Sequence, residues 1–380
     1  MQINEYIKTN PFLEDYFNSK NINIKDLTNG INEVFLLEDG DKKLILKRAL
    51  PYFKQYGPKH PLDESRVLFE AKALEIFKKN NKQLIPKLYL IDEKESLILV
   101  EYIKDKISLN QFLQSQLINK NFSEQLSDFL CKNFFHTSTY GIGLEKKQKL
   151  LDTFQGNNHM KELSVQFIFT DIINRYKTLK NTEEKTNNLI DELNMQESLL
   201  VKNMEILREK FILENECLLH GDLKGGSILL NDEDISIIDC EFSSYGPIAY
   251  DLSSIIYVFV SLIINYDLAK GDKTYISWLI SVVEEIFYKF KEKLLSLNKD
   301  IGEEFFDNLI QDIVGFMGIQ MLSMMIPHVV PFKTTFIKKE TETIYYKKMD
   351  LIAKIFIKRY KTFNNIEQVL KVIQSHLQHY

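Results

Sequence analysis

Cysteine is nearly absent: three residues in 380, at 131, 217 and 240, form an odd set with no metal-ligand spacing. That excludes a disulfide framework and a zinc site as organising devices, and it predicts a reducing cytoplasm as the compartment. Glycine and proline, at 14 and 8, are too scarce for the many turns of a β-sandwich, so long helices should dominate. An excess of basic charge is missing as well. Against 53 acidic residues stand 48 Lys and Arg, a net charge of −5, so no global positive field exists to hold nucleic acid or an anionic membrane, and neither is expected as a partner. Clean membrane-spanning runs are lacking too. Residues 252–264 are apolar but bounded by Asp251 and Asn265, short of the roughly 20 that a span needs. Residues 313–332 are interrupted by Gln320, Ser323, Pro327 and His328. Both predict buried helices of a large core. The opening MQINEYIKTNPFLEDYF sets acids among its apolar residues and does not read as a secretory leader. What is plentiful, 44% hydrophobic and 27% charged residues, is globular composition.

Two textures divide the chain. Residues 34–50, VFLLEDGDKKLILKRAL, place two short apolar runs about an Asp-Gly turn signal, the pattern of a hairpin. A second pair of runs, 87–92 and 97–102, is separated by the polar EKES. Between the pairs, after Asp63-Glu64-Ser65, VLFEAKALEIFKK carries apolar residues at helical spacing with acids ahead of it. From about residue 104 onward amphipathic helical patterns take over, interrupted by a charged, Asn-rich piece at 180–188 that predicts a solvated connection. One later segment looks strand-like, 227–239, where ILL and ISII flank the turn Asn231-Asp232-Glu233-Asp234. The expected class is therefore α+β in two lobes: a small β-rich N-terminal lobe over 1–103, and a larger, mostly helical lobe over 104–380 carrying the catalytic loops. A ligand belongs in the cleft between them.

The densest chemical signal lies at 218–253, LLHGDLKGGSILLNDEDISIIDCEFSSYGPIAYDLS. An apolar approach delivers His220-Gly221-Asp222, and a hairpin then returns the chain to Asp239-Cys240-Glu241. Phosphoryl transfer to a hydroxyl needs two such acidic centres, one to orient the attacking hydroxyl and one to hold magnesium against the phosphates. Asp222 fits the first role. Asp239 and Glu241 fit the second, since alternate residues leaving a strand project to the same side. Either triplet alone also fits a plain turn or a strand end; their conjunction with Tyr245-Gly246-Pro247 and Asp251 favours chemistry. His220 reads as a brace for its loop rather than a proton shuttle, and Asp251 as a helix cap whose carboxylate accepts backbone N–H bonds.

These motifs resemble the catalytic core of the protein-kinase-like small-molecule phosphotransferases, which include aminoglycoside and choline kinases. Within that superfamily they are most similar to the S-methyl-5-thioribose kinase family, whose members read HGDLHTGSI and D-P-E-F-x-x-Y-G-P. The similarity runs over about residues 10–360. It implies a bilobal protein-kinase-like fold, ATP and Mg2+ as cofactors, a sugar-like small-molecule acceptor phosphorylated to its 1-phosphate in methionine salvage, and a homodimer. It implies Asp222 at the acceptor hydroxyl, Asp239 and Glu241 on magnesium, and Ser227 where other kinases carry a metal-binding Asn. Lys47, in LILKRALPY, resembles the strand lysine that meets the α- and β-phosphates, and Glu70, in LFEAKAL, the helix glutamate that pairs with it; alone, Lys47 would read as a surface lysine. Asn29 and Gly30 open the phosphate-covering loop Asn29-Gly30-Ile31-Asn32, and Glu101 and Ile103 bound the strap whose backbone meets adenine. Phe169-Thr170-Asp171 and His136-Thr137-Ser138 match family landmarks and read as structural.

Three departures fall on the acceptor side. Two adjacent family arginines are replaced by Ser323 and Met324, and no arginine occurs between Arg208 and Arg359. His60 stands where the family has Trp before Pro-Leu. Lys224-Gly225 replaces His-Thr. Lys224 is accordingly either a substitute for the lost positive charge or a solvated surface lysine. The apolar stretch 317–326 lacks the acids that a cationic acceptor such as choline or an aminoglycoside would need; these, and a different pentose, are the alternative acceptors to methylthioribose. A nucleotide-binding pseudokinase is disfavoured because Lys47, Glu70, Asp222 and Asp239 are all present.

Overall fold

The apolar runs near the N-terminus pair as their alternation requires. In the computed structural model, which describes residues 3–18, 22–28, 30–54, 56–182, 188–325 and 339–378, strands β1 (Asn23–Asp26), β2 (Glu33–Asp39), β3 (Lys42–Arg48), β4 (Leu88–Asp92) and β5 (Leu97–Glu101) form one antiparallel sheet in the order β1-β2-β3-β5-β4. A two-residue turn at Gly40-Asp41 joins β2 to β3 with Asp39 opposite Lys42. Strand β1 adds to the sequence reading: its NIKD is polar and mostly exposed, so no alternation marks it. Residues 30–32 of the covering loop therefore lie between two strands, β1 and β2.

Period two decides what each face of the sheet does. Leu44 and Leu46 join Phe35, Leu37, Leu97 and Leu99 in a core closed by Tyr6, Ile7, Leu13 and Phe17 from the helices Ile3–Thr9 and Pro11–Phe17. Lys47 consequently faces the other way, toward the helix Arg66–Asn80. That helix buries Val67, Ala71, Leu74 and Phe77, and with them Arg66 and Glu70. Two buried charges on one helix are costly unless paired.

The remainder is mostly helical, as expected. Helices Phe122–Thr137, Ile248–Leu268, Lys273–Leu297, Glu303–Ser323 and Glu342–Arg359 contribute to one large apolar core. Residues 252–264 lie inside the helix Ile248–Leu268, which is long and apolar enough to cross a membrane but has 94% of its most apolar window buried in the protein. Residues 313–323 finish the helix Glu303–Ser323, and 326–338 lie outside the described residues, as do 183–187 of the expected connection at 180–188. The C-terminal helix Ile366–Gln374 turns Ile366, Val369, Leu370 and Ile373 inward against Lys273–Leu297. Among the later strands, β6 (Ile107–Ser108), β8 (Ile228–Leu230) and β9 (Ile235–Ile237) form one sheet in the order β6-β8-β9, and β7 (Cys217–Leu218) pairs with β10 (Tyr245–Gly246). The β8–β9 hairpin is the one read from 227–239. Its companions are two residues long, too short to leave a periodic signal.

Candidate active site

Strand β7 delivers the loop that carries His220-Gly221-Asp222, and buried backbone donors there need partners. The carboxylate of Asp251, fully buried in the first turn of Ile248–Leu268, supplies them: it accepts the N–H of His220 at 2.7 Å and of Gly221 at 3.1 Å. His220 is a brace, as expected. Its Nε2 meets the Ile238 carbonyl at 2.9 Å while its Nδ1 accepts the Asp222 N–H at 3.3 Å, so the ring bridges two backbone segments of the site. Gly221 is required at φ +82°, and a Cβ there would stand 2.3 Å from the carbonyl oxygen of Phe242. The loop thus packs backbone to backbone on the segment carrying Glu241. Ser227 donates its hydroxyl to the Asp222 carbonyl at 2.6 Å, so it ties the loop to its own turn.

The β8–β9 hairpin then turns the chain back at Asp239, a non-glycine residue held at φ +65°. Such backbone strain is kept where the surroundings over-determine it, characteristically at functional sites. Asp239 pairs with the Lys47 ammonium, which also lies 2.7 Å from the Glu70 carboxylate. Burial opposes the charge on Lys47, but the carboxylates of Asp239, Glu70 and Glu241 outweigh it and push its pKa well above the ordinary value. Burial likewise pushes Glu70 up, to about 7, against the pull of Lys47. For Asp239 the balance is reversed: burial would raise it, and the Lys47 ammonium holds it below the usual carboxylate range. Burial raises Glu241 in spite of Lys47 and Arg66. Lys224 reaches Asp222 Oδ1 at 2.7 Å, and that contact outweighs its partial burial to push its pKa up.

Lys47, Asp222, Lys224, Asp239 and Glu241 border one cleft of about 580 Å³, with Glu70 buried behind Lys47 and not part of its lining; the volume is within the range of small-molecule sites. One wall carries Gly30, Ile31 and Asn32 of the covering loop with Lys47, Asp239 and Glu241; another carries Asp222, Lys224, Tyr250, Tyr257, Gln320, Ser323 and Met324. The second wall holds no acid but Asp222. Tyr257 donates its hydroxyl to the Met324 sulfur at 3.4 Å, and Gln320 donates to Ser254 at 2.7 Å. Burial and the nearby Asp222 push the phenols of Tyr250 and Tyr257 upward, so both stay protonated donors.

Residues 24–271 match the phosphotransferase enzyme family. The chain belongs to that family. Among its curated relatives, the methylthioribose kinase of Bacillus mycoides (strain KBAB4) is 31% identical over 320 residues, 81% of this chain and 80% of the relative. The methylthioribose kinase of Bacillus cereus (strain AH187) is 30% identical over 81% of this chain and 79% of its own. A solved spectinomycin phosphotransferase in complex with ADP and spectinomycin aligns over 94% of this chain and 99% of its own at 12% identity and a TM-score of 0.48. This phosphotransferase is accordingly an enzyme, an ATP-dependent kinase of an alcohol group, with the bilobal α+β fold read from its sequence. Its hard carboxylate donors suit magnesium. Asp239 and Glu241 could hold the ion, with its remaining positions left to phosphate oxygens and water.

Not every residue named from the sequence of this phosphotransferase lines the cleft. Asn29 lies outside the described residues. His60 sits on the loop 53–60, closed on itself by the Phe53 N–H bond to the His60 carbonyl, and packs its ring 5.4 Å from that of Tyr56. Glu101 turns its carboxylate to the Lys87 N–H at 2.8 Å, and neither it nor Ile103 borders the volume that holds Asp222. Sequence reasoning missed Arg66, Asn32 as a polar partner, and Asn157. Asn157 Nδ2 donates to the carbonyls of both Glu241 and Ser243 at 2.9 Å, so one amide fixes the backbone of the segment that follows Asp239. An isolated asparagine 84 residues away offers no signal that could have found it.

Proposed function

We propose that the protein transfers the γ-phosphate of ATP to a hydroxyl of a small uncharged sugar, with S-methyl-5-thioribose as the acceptor and its 1-phosphate as the product. The observation that carries this reading is the joining of Lys47, Asp239, Glu241 and Asp222 around one cleft whose other wall is uncharged apart from Asp222 and Lys224. Lys47 binds the non-transferred phosphates, its pull on them replacing part of its present pairing with Asp239. Asp239 and Glu241 hold Mg2+, which neutralises phosphate charge. Asp222 accepts the hydrogen bond of the acceptor hydroxyl and aligns its oxygen for attack, so that catalysis is chiefly positioning and charge stabilisation. Lys224, beside Asp222, supplies a cation on the side where the family's arginines are missing. Tyr257 and Met324 offer a phenol and a thioether surface to the substrate's own sulfur-bearing tail. The 30–31% identity to methylthioribose kinases supports the choice of acceptor, and a place in methionine salvage in the cytoplasm follows from it.

Release of ADP against a panel of methylthioribose, ribose, choline and an aminoglycoside tests the reading, with Asp222→Asn as the control. The expected outcome is turnover on methylthioribose that the control abolishes. Preference for a cationic acceptor would replace the substrate assignment, and ATP binding with no turnover on any alcohol would overturn the enzyme's proposed chemistry altogether.

A further inference from the structure

Arg66 is among the largest fully buried side chains of the described residues, and its guanidinium binds together segments that are far apart in the chain. Nη1 donates to the carbonyls of Leu50 at 2.9 Å and Asp63 at 2.7 Å, Nη2 reaches the Ile31 carbonyl at 3.4 Å, and Nε donates to Asn32 Oδ1 at 3.0 Å. Asn32, itself buried, donates Nδ2 to Glu241 Oε2 at 2.7 Å, and Arg66 Nε lies 3.4 Å from the same oxygen. The amide is therefore oriented: its oxygen faces a cation and its nitrogen faces a carboxylate, so a reversed amide would lose both bonds. Both contacts fall on Oε2, and Oε1 stands outside them. The carbonyl of the same Glu241 is held by Asn157. Three carboxylates, Glu70, Asp239 and Glu241, share this region with the cations Lys47 and Arg66, while Lys224 acts on Asp239 from beside Asp222.

We infer that Asn32 and Arg66 are positioning residues which fix Glu241 in one rotamer as a single-oxygen metal arm and join the phosphate-covering loop to the metal site, so that ordering of loop 30–32 and capture of the metal–nucleotide complex are one event. This rests on the reading of Asp239 and Glu241 as the magnesium-binding pair. Arginine suits the task because its rigid fork serves several carbonyls while its charge remains beside the carboxylate, which a lysine could not reproduce. A buried ionic network of this kind contributes little to stability on balance; its role is in placing Glu241.

The test is calorimetric binding of ADP at increasing Mg2+, with no turnover involved, on the full chain, Asn32→Leu and Arg66→Lys. Partners that orient metal ligands carry about 10–100-fold in metal affinity, and a rise of that size in the Mg2+ concentration giving half-maximal ADP binding is expected for Asn32→Leu. Because Asn32 also borders the cleft, ADP affinity without Mg2+ should fall as well, but by less than the affinity measured with it. Arg66→Lys keeps the charge but breaks the fork, and should show the same shift; if it fails to fold, Asn32→Leu alone decides. An unchanged Mg2+ dependence in Asn32→Leu, even with a lowered melting temperature, would overturn the inference and reduce the network to packing. ADP binding that ignores Mg2+ in the unsubstituted protein would instead overturn the metal reading itself, and this inference with it.

Discussion

The carboxylate of Asp251 makes no contact with the cleft, yet the position of Asp222 depends on it. Two buried backbone N–H groups, those of His220 and Gly221, are bound at 2.7 and 3.1 Å by this one side chain. Hydrogen bonds to a charged group contribute about 1.5–3 kcal/mol each, and a buried donor left without a partner costs a similar amount. Asp251→Ala should therefore lose about 3–5 kcal/mol. Unfolding entropy is about 2.1 cal/mol/K per residue, which for 380 residues gives about 0.8 kcal/mol/K, so a loss near 4 kcal/mol lowers Tm by about 5 °C. Asp251→Asn separates the two consequences. Its amide oxygen can keep one N–H while its NH2 opposes the other, so the loop twists by one hydrogen bond, and kcat should fall while ADP affinity, which our proposal assigns to Lys47 across the cleft, stays put. Scanning calorimetry and steady-state kinetics read both quantities. An Asp251→Asn protein with the parental Tm and the parental kcat would refute the argument, because it would mean that the catalytic loop holds its shape without this cap.

Two further outcomes follow from the described geometry. Lys224→Met removes the ammonium 2.7 Å from Asp222 Oδ1 and should lower kcat about 100-fold, the scale of one lost charge-stabilising donor, with little change in ATP binding; unchanged turnover would show the lysine to be a surface residue. Glu216 accepts the Ile248 N–H at 2.8 Å, and burial pushes its carboxyl up to about 7. Because the folded state holds a proton that the unfolded state releases near pH 4.5, this group's contribution is full below that pH and is lost as pH rises through about 7; Glu216→Gln should flatten the decline of Tm between pH 5 and 8, and parallel slopes would count against it.

What could be read from the sequence, and what could not, divides by distance along the chain. The hairpin β2–β3, the helix beginning after Ser65 and the hairpin β8–β9 announce themselves because turn residues and apolar alternation act over a few neighbours. Asp222, Asp239 and Glu241 were legible because each sits in a short motif beside an apolar strand. Arg66 was not: an arginine in the first turn of a helix, preceded by acids, reads as solvated, and its burial depends on Asn32 and Glu241, the latter 175 residues away. His60 shows the opposite failure, in which a family position named it and a loop closed on its own backbone keeps its ring against Tyr56. The uncharged wall of Tyr250, Tyr257 and Gln320 was invisible for a third reason. It is assembled from two helices whose apolar stripes read as core along their whole length, and only packing decides which turns face a void.

The register of β3 has a consequence for how this lobe can change over time. Leu46 and Lys47 are neighbours that point to opposite sides of the sheet, one into grease and the other toward Glu70 and Asp239. Inserting or deleting one residue within Lys42–Arg48 would exchange them, burying an amine under the N-terminal helices and setting a leucine among the carboxylates. Length variation is thereby confined to the tip at Gly40-Asp41, where an added residue lengthens the ribbon without moving the ammonium. The seven-residue strand serves as a fixed ruler between the turn and the reaction, and descendants of this chain should vary at its tip long before they vary in its count.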